Sequence, residues 1–273
     1  MFELVNQKHR KKINQFLSQL KPSSSDKIDK ALNEIIQNIY DAIPPKKRIS
    51  YGRYSVIKRL GIFIYPLLKE KGSDAYDLGS RLYLDQQANP FLRSFGLQLM
   101  SLLAEEKGPF KKIINFFEKA AKDKSWEVRE CSAGFIRKIV KAYPLEMKKW
   151  YLKMSNSKDD KQRRFVVESL RPVADNHWLK KNSNYAFSIL QLFYKESSVY
   201  PRTSTGNSLS DWMRIDQEKT LKIVKTLANN NDKNSYWIAY RACRNLVKKE
   251  PLLVMDILKI DHYKYKDRIF NRP

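Results

Sequence analysis

The sequence predicts an all-α fold, a HEAT-like superhelix of about 6–7 stacked helix pairs, and three observations carry that expectation. Apolar residues recur at steps of three and four nearly everywhere, the spacing of a buried helix face. Only 8 glycines interrupt the 273 residues, so long helical stretches meet few breaks. An arginine recurs near the start of an apolar-periodic helix at Arg129, Arg164, Arg202 and Arg241, at steps of 35, 38 and 39 residues. A period of about 35 to 45 residues with two helices per unit is the signature of a HEAT-type solenoid. Cations at one repeat position are then expected along one surface, where they would meet a ligand.

The elements follow in order. A first helix is expected over 2–20, with Leu4, Ile13, Phe16 and Leu20 on one face and the run Lys8 to Lys12 on the others. Pro22 and Ser23 to Ser25 form a linker with an N-cap signal before Asp26. A second helix over 26–43 carries Ile28, Leu32, Ile35 and Ile36, and Pro44 and Pro45 stop it. Lys46, Lys47, Arg48, Tyr51, Arg53 and Tyr54 then gather in a basic segment that is either a DNA-facing loop or a solvated turn. From residue 73 the helices shorten and pair, at 73–85, 90–104, 109–122, 125–142, 144–153, 159–171, 183–196, 198–213, 217–230, 234–249 and 251–259. Pro90, Pro109, Pro144 and Pro251 fall where helices start, which their fixed φ favours. No alternating strand pattern stands out, and the tail from His262 reads as a frayed basic end. The expected organisation is one domain over 1–273: basic N-terminal helices (1–72), helix-pair repeats (73–260) and a basic tail (261–273).

Lys plus Arg number 53 against 29 Asp plus Glu, and the resulting +24 calls for a polyanionic partner, nucleic acid first. No apolar run approaches the roughly 20 residues that span a bilayer, and no signal peptide is visible, so a cytoplasmic, nucleoid-associated protein is expected. Cys131 and Cys243 sit at apolar positions of different repeats and read as buried thiols. His9, His177 and His262 are far apart and no cysteine has a ligand-spaced neighbour, so no metal site is expected. Phosphate-loop and dinucleotide motifs are absent, and no cofactor is expected.

What remains is a set of acids among the repeat cations: Glu127, Glu130, Glu168 and Asp211. Trp126 and Glu130 are four apart on one helix, so indole and carboxylate project from one face a turn apart. Glu168 follows Arg164 by four residues, and Asp211 is followed at once by Trp212. Each acid either pairs with a neighbouring arginine to orient its helix, or serves a groove in which a cation must be stabilised. Carboxylates repel phosphate, which makes the second arrangement costly unless it has a use. The five tryptophans all fall between residues 126 and 237, some as core and others available to stack on a base.

Four ordered blocks carry a further signal. RRFVVESLRP (163–172) looks like RRLxSExxRP, YPRTSTGNSLSD (200–211) is similar to YVRRSVANxLND, and WIAYRACRNLVKK (237–249) looks like WIxRHALRTLVKK, with WEVRECSAGFIR (126–137) as the fourth. Over about 124–250 the chain resembles the HEAT-like-repeat alkylpurine DNA glycosylases of bacteria, the AlkC and AlkD proteins, and the AlkC branch most. The resemblance implies a right-handed superhelix whose concave face holds duplex DNA and excision of N3- or N7-alkylated purines. By position it makes Glu130, Glu168 and Asp211 the catalytic acids and Trp126 a wall of the base or sugar pocket, beside which Trp212 is placed. Arg129, Arg163, Arg164, Arg202, Arg241 and Arg244 are then expected on the DNA backbone. The chain departs from the blocks at Pro201, Thr203, Gly206 and Trp212.

Alkylation places a positive charge on the purine and already weakens the glycosidic bond. The enzyme then needs ionised carboxylates that stabilise an oxocarbenium-like sugar and place a water, as in glycoside hydrolysis. The expectation is therefore a monofunctional, monomeric glycosylase acting on alkylated duplex DNA. The alternatives are a non-catalytic binder of DNA structure and a protein-interaction scaffold.

Overall fold

The computed structural model describes residues 4–20, 25–70, 72, 74–85, 88–174 and 176–272; the linker expected at Pro22 to Ser24 lies outside them. The chain forms two compact units, Met1–Ala142 and Tyr143–Pro273. The first holds α1 (Gln7–Ser18), α2 (Ser25–Asp41), α3 (Arg53–Glu70), α4 (Ala75–Leu84), α5 (Pro90–Glu105), α6 (Phe110–Ala120) and α7 (Trp126–Ala142). The second holds α8 (Pro144–Ser155), α9 (Asp160–Ser169), α10 (His177–Lys181), α11 (Ser183–Leu190), α12 (Val199–Trp212), α13 (Gln217–Ala228), α14 (Lys233–Ala242) and α15 (Pro251–Leu258), then a hairpin of β1 (His262–Tyr265) and β2 (Arg268–Asn271). The fold is all-α helix pairs, as the periodicity predicts.

Local chemistry sets the helix starts. Pro90, Pro144 and Pro251 open α5, α8 and α15, while Pro109 precedes α6 as its N-cap residue. Side chains of Asn6, Asp74, Asn89, Asp159, Asp216 and Asp232 accept from first-turn N–H groups that lack helical partners.

In the first unit α5 packs on α3, α4, α6 and α7, and it is buried on all sides from Leu92 to Leu102, with Arg93, Ser94, Gln98 and Ser101 inside. A helix that buries its whole circumference sits at a centre. The α4–α5 approach depends on two glycines: a Cβ on Gly96 would lie 2.4 Å from the Gly79 carbonyl oxygen. In the second unit α12 packs between α9 and α14, with α13 against both α14 and α15 and α8 against α9.

The structure departs from the sequence reading at four places. The helix expected over 183–196 ends at Leu190 in a 3₁₀ turn (Gln191–Phe193), and that over 234–249 breaks after Ala242 before a 3₁₀ turn at Leu246–Lys248. The short α10 was unforeseen. The tail is no frayed end, because Tyr263 is fully buried and stacks on Tyr240 with centroids 4.2 Å apart. Its hydroxyl donates to the Tyr240 carbonyl at 2.7 Å, and the Tyr240 hydroxyl donates to the Lys264 carbonyl at 2.9 Å. These bonds pin a hairpin whose turn lacks the usual Asn-Gly signal; Lys266 takes the left-handed conformation there, φ 54°.

Candidate functional site

The recurrent arginine has a defined place, and it corrects the register read from sequence. Arg129, Arg163 and Arg202 are each the fourth residue of their helix, α7, α9 and α12, and Arg93 holds the same place in α5. Arg164 is the fifth residue of α9, and Arg241 lies deep in α14. The fourth-position arginine reaches back to carbonyls of its own preceding loop. Arg129 donates to Asp123 O and, at 3.1 Å, Lys124 O; Arg163 donates to Ser157 O at 2.8 Å and Lys158 O at 3.2 Å; Arg202 donates to Ser197 O at 3.4 Å. It also reaches forward into the next pair. Arg93 pairs with Asp123, Arg163 donates from Nε and Nη2 to the Glu196 carboxylate at 2.8 and 3.2 Å, and Arg202 donates to Asn234 Oδ1. Asp123 and Glu196 are equivalent in turn, accepting from the N–H groups of Ser125 and Ser198. Arg93, Arg163 and Arg202 thus connect consecutive helix pairs, while Arg129 is held by the carbonyls of its own loop.

Arginines at both the fifth and the fourth positions also cover aromatic rings. Arg164 lies over the Tyr200 ring, 4.6 Å from its centroid, with Nη2 3.6 Å from Glu168 Oε1. Arg202 covers the Trp237 ring at 5.0 Å, so Trp237 is roofed by a cation.

Around Glu168 and Asp211 the second unit assembles a charged cluster from the ends of α9 and α12. Arg171, just past α9, donates from Nη1 to Glu168 Oε2 at 3.0 Å and from Nε to Asp211 Oδ2 at 2.8 Å. Ser204 donates to Glu168 Oε1 at 2.7 Å, and Arg214 donates to Asp211 Oδ1 at 3.0 Å. Both acids are nearly closed from solvent, with 5% of Glu168 and 6% of Asp211 exposed. Burial pushes the Glu168 carboxyl up, but Arg171, Arg164 and the Ser204 hydroxyl outweigh it and hold the group below the usual carboxylate range. Burial alone would lower Arg171, and Glu168 and Asp211 raise it instead. Glu168 therefore stays ionised at neutral pH, and both acids are paired with arginine, as the first sequence alternative required.

Trp212 is a correction. It is fully buried, tilted against Phe187 at 5.0 Å, and its indole N–H donates to Leu170 O at 3.2 Å. It fills the core and satisfies a carbonyl left at the end of α9, so it walls no pocket. Two of the other departures have local reasons, and nothing in the structure explains Thr203. Pro201 falls in the first turn of α12, where no intrahelical donor is needed. Gly206 makes room for α14, since a Cβ there would lie 2.6 Å from Arg241 Cβ and Cγ.

Trp126 opens α7 with 62% of its surface exposed, and Glu130 is half-buried a turn later. Both belong to the first unit, whereas Glu168 and Asp211 are gathered within the second. Arg241 and Arg244 converge on one amide oxygen: Arg241 Nε donates to Asn207 Oδ1 at 2.9 Å and Arg244 donates to the same atom. In the basic segment, Arg48 donates to Ile43 O at 3.0 Å, and Arg53 lies between the rings of Tyr40 and Phe91 at 4.5 and 4.6 Å. Cys131 and Cys243 are buried, which pushes both thiols up to about 12.

Arg171, Ser204 and Arg214 hold the two acids and are absent from the sequence-predicted site residues. Arg171 was visible, three residues after Glu168 within the SLRP run, but it reads there as a helix boundary.

No family model matches the chain, and no curated protein sequence matches it. Among solved structures, AlkD2 from Streptococcus mutans is 19% identical over 85% of this chain and 98% of its own, with a TM-score of 0.50. The Pseudomonas fluorescens alkylpurine DNA glycosylase AlkC, bound to DNA containing an abasic site analog, is 15% identical over 94% of this chain and 67% of its own, with a TM-score of 0.51. The fold is theirs. At these identities the likeness establishes architecture, and the helix-pair repeat described above is that architecture. No helix among the described residues is long and apolar enough to cross a membrane.

Proposed function

We propose that the protein binds duplex DNA and hydrolyses the N-glycosidic bond of N3- or N7-alkylated purines, leaving an abasic site. The observation that carries the reading is the pair of buried carboxylates, Glu168 and Asp211, bridged by Arg171 on a chain bearing +24. Such a chain attracts DNA through phosphate neutralisation and counterion release. Two buried acids on it serve no backbone contact, and their charge suits a cation that develops only during reaction.

An alkylated purine leaves without being protonated, so Asp211 and Glu168 need act only as bases and counter-charges. Asp211 is the better placed to orient water, because its Oδ1 is covered by Arg214, whose side chain is 66% exposed and can swing onto a phosphate. Glu168, closed in by Arg171, Arg164 and Ser204, sets the field behind it. Glu130 and Trp126 are carried as a further acid and aromatic of the first unit. Arg164, Arg241 and Arg244 are the arginines we assign to the DNA backbone first, with Arg129 holding its own loop and Arg163 and Arg202 serving mainly between helix pairs.

The test is to incubate the protein with methylated duplex DNA and identify released bases by chromatography. Asp211→Asn and Glu168→Gln are each expected to nearly abolish release of 3-methyladenine while DNA affinity holds or rises; unchanged release in both removes the assignment. A second reading, a binder of DNA structure without catalysis, is favoured by the full pairing of both acids with arginine. It requires tight, salt-sensitive binding with no base release by the unaltered protein.

A further inference from the structure

The C-terminal hairpin is small, exposed and nevertheless well anchored. A two-stranded hairpin is marginal alone in water, and this one is held by the buried Tyr263 and the Tyr240 hydrogen bonds. What the anchor presents is mainly cationic: Lys264, Lys266 and Arg268 are exposed around the turn, with Asp267 among them. On the packed side, three cations close on the Tyr265 ring: Arg241 at 5.8 Å, Lys248 at 5.9 Å and Lys266 at 5.9 Å from its centroid.

How those cations are held sets them apart from Arg93 and Arg163, though not from Arg202, which also donates to an amide oxygen. Arg93 and Arg163 are neutralised by the Asp123 and Glu196 carboxylates. Arg241 and Arg244 donate to the amide oxygen of Asn207, and Lys248 donates to that of Asn245 at 3.4 Å. An amide fixes the direction of a cation and leaves its charge intact. Like charges gathered on one ring repel, and the face of a tyrosine offsets only part of that. An arrangement that orients three positive groups through neutral partners is built for an anion with repeated charges.

We infer that the hairpin and the adjoining end of α14 form a clamp for the phosphodiester backbone of duplex DNA, with Lys264, Lys266 and Arg268 on one side and Arg241, Arg244 and Lys248 on the other. The inference rests on the DNA-binding part of the proposed function, extends the DNA-facing surface beyond the helix pairs, and is independent of whether a base is released.

The experiment uses the full chain, a fluorescent duplex and a single strand of the same length, with affinity measured across salt concentrations. The triple variant Lys264→Gln/Lys266→Gln/Arg268→Gln is expected to bind duplex more weakly. Its slope of log affinity against log salt should fall by about 2 to 3, at roughly 0.9 for each phosphate no longer neutralised. Its thermal midpoint should match that of the unaltered protein, which shows the fold intact. An unchanged slope on duplex, a weakening confined to the single strand, or no duplex binding by the unaltered protein each overturns the clamp. Base release by the triple variant at saturating DNA separates the two ideas: a clamp that fails while release persists leaves the glycosylase reading standing, and the reverse result leaves the clamp.

Discussion

Glu168 and Asp211 illustrate how one residue can answer to two demands. Each is tied to arginine strongly enough to be structural, and at Glu168 the same tie keeps the carboxylate ionised, which the proposed chemistry needs. Removal of Glu168 by substitution with Ala would leave Arg171 and Arg164 short of a counter-charge inside the unit, at a cost of about 3–5 kcal/mol in a urea unfolding titration. The pH dependence follows from the lowered carboxyl. The unfolded chain binds this proton near 4.5 and the folded chain binds it only at lower pH. Stability from Glu168 is therefore fully present above about 4.5 and lost as pH falls through the folded value, and Glu168→Gln should flatten that loss in unfolding curves taken between about pH 3 and 6. Arg214→Ala is expected to act oppositely on two readouts, raising the single-turnover rate of base release by uncovering Asp211 while weakening DNA binding. Slower release with unchanged binding would show that Arg214 positions Asp211 instead.

Among the helices, the sequence carried the apolar periodicity, the proline starts and the pairing of elements, since these depend on local propensity and face patterning. It misplaced the equivalent arginine, because Arg163 and Arg164 are adjacent and only three-dimensional contacts show which of them bonds back to its loop carbonyls. Trp212 looked available for stacking beside an acid; its indole instead closes the end of α9, a long-range contact that no spacing reveals. The α4–α5 crossing offers a clean test of element packing. Gly96→Ala would force the Gly79 carbonyl away and is expected to cost about 1–3 kcal/mol or more, read as a lower urea midpoint. On α3, burial and the cations Arg137, Lys138 and Arg59 lower Lys58 to about 8. The folded lysine releases its proton before the unfolded one does, so stability should rise between about pH 8 and 10.5 as the charge penalty disappears. Lys58→Met is expected to flatten that rise.

For the whole molecule, net charge governs encounter more than structure. A charge of +24 should accelerate association with DNA at low ionic strength, and the association rate should fall steeply as salt shortens the screening length, with dissociation less affected. Stopped-flow fluorescence at several salt concentrations checks this, and a rate indifferent to salt would mean that the cations are spent inside the fold. The connectors account for part of that spending, since Arg93 and Arg163 are neutralised within their units.

Those connectors also show how one helix position can serve a joint with different side chains. The fourth residue of a helix in the second unit can bond to the chain beyond it, as α9 is answered by Glu196 and α12 by Asn234. The fourth residue of α14 is Tyr236, and its hydroxyl donates at 3.0 Å to Leu258 O at the end of α15. The same position thus makes its joint by different chemistry in each case, guanidinium to carboxylate at α9, guanidinium to amide at α12 and phenol to backbone carbonyl at α14, so of these three the α9 joint is the one that added salt should weaken.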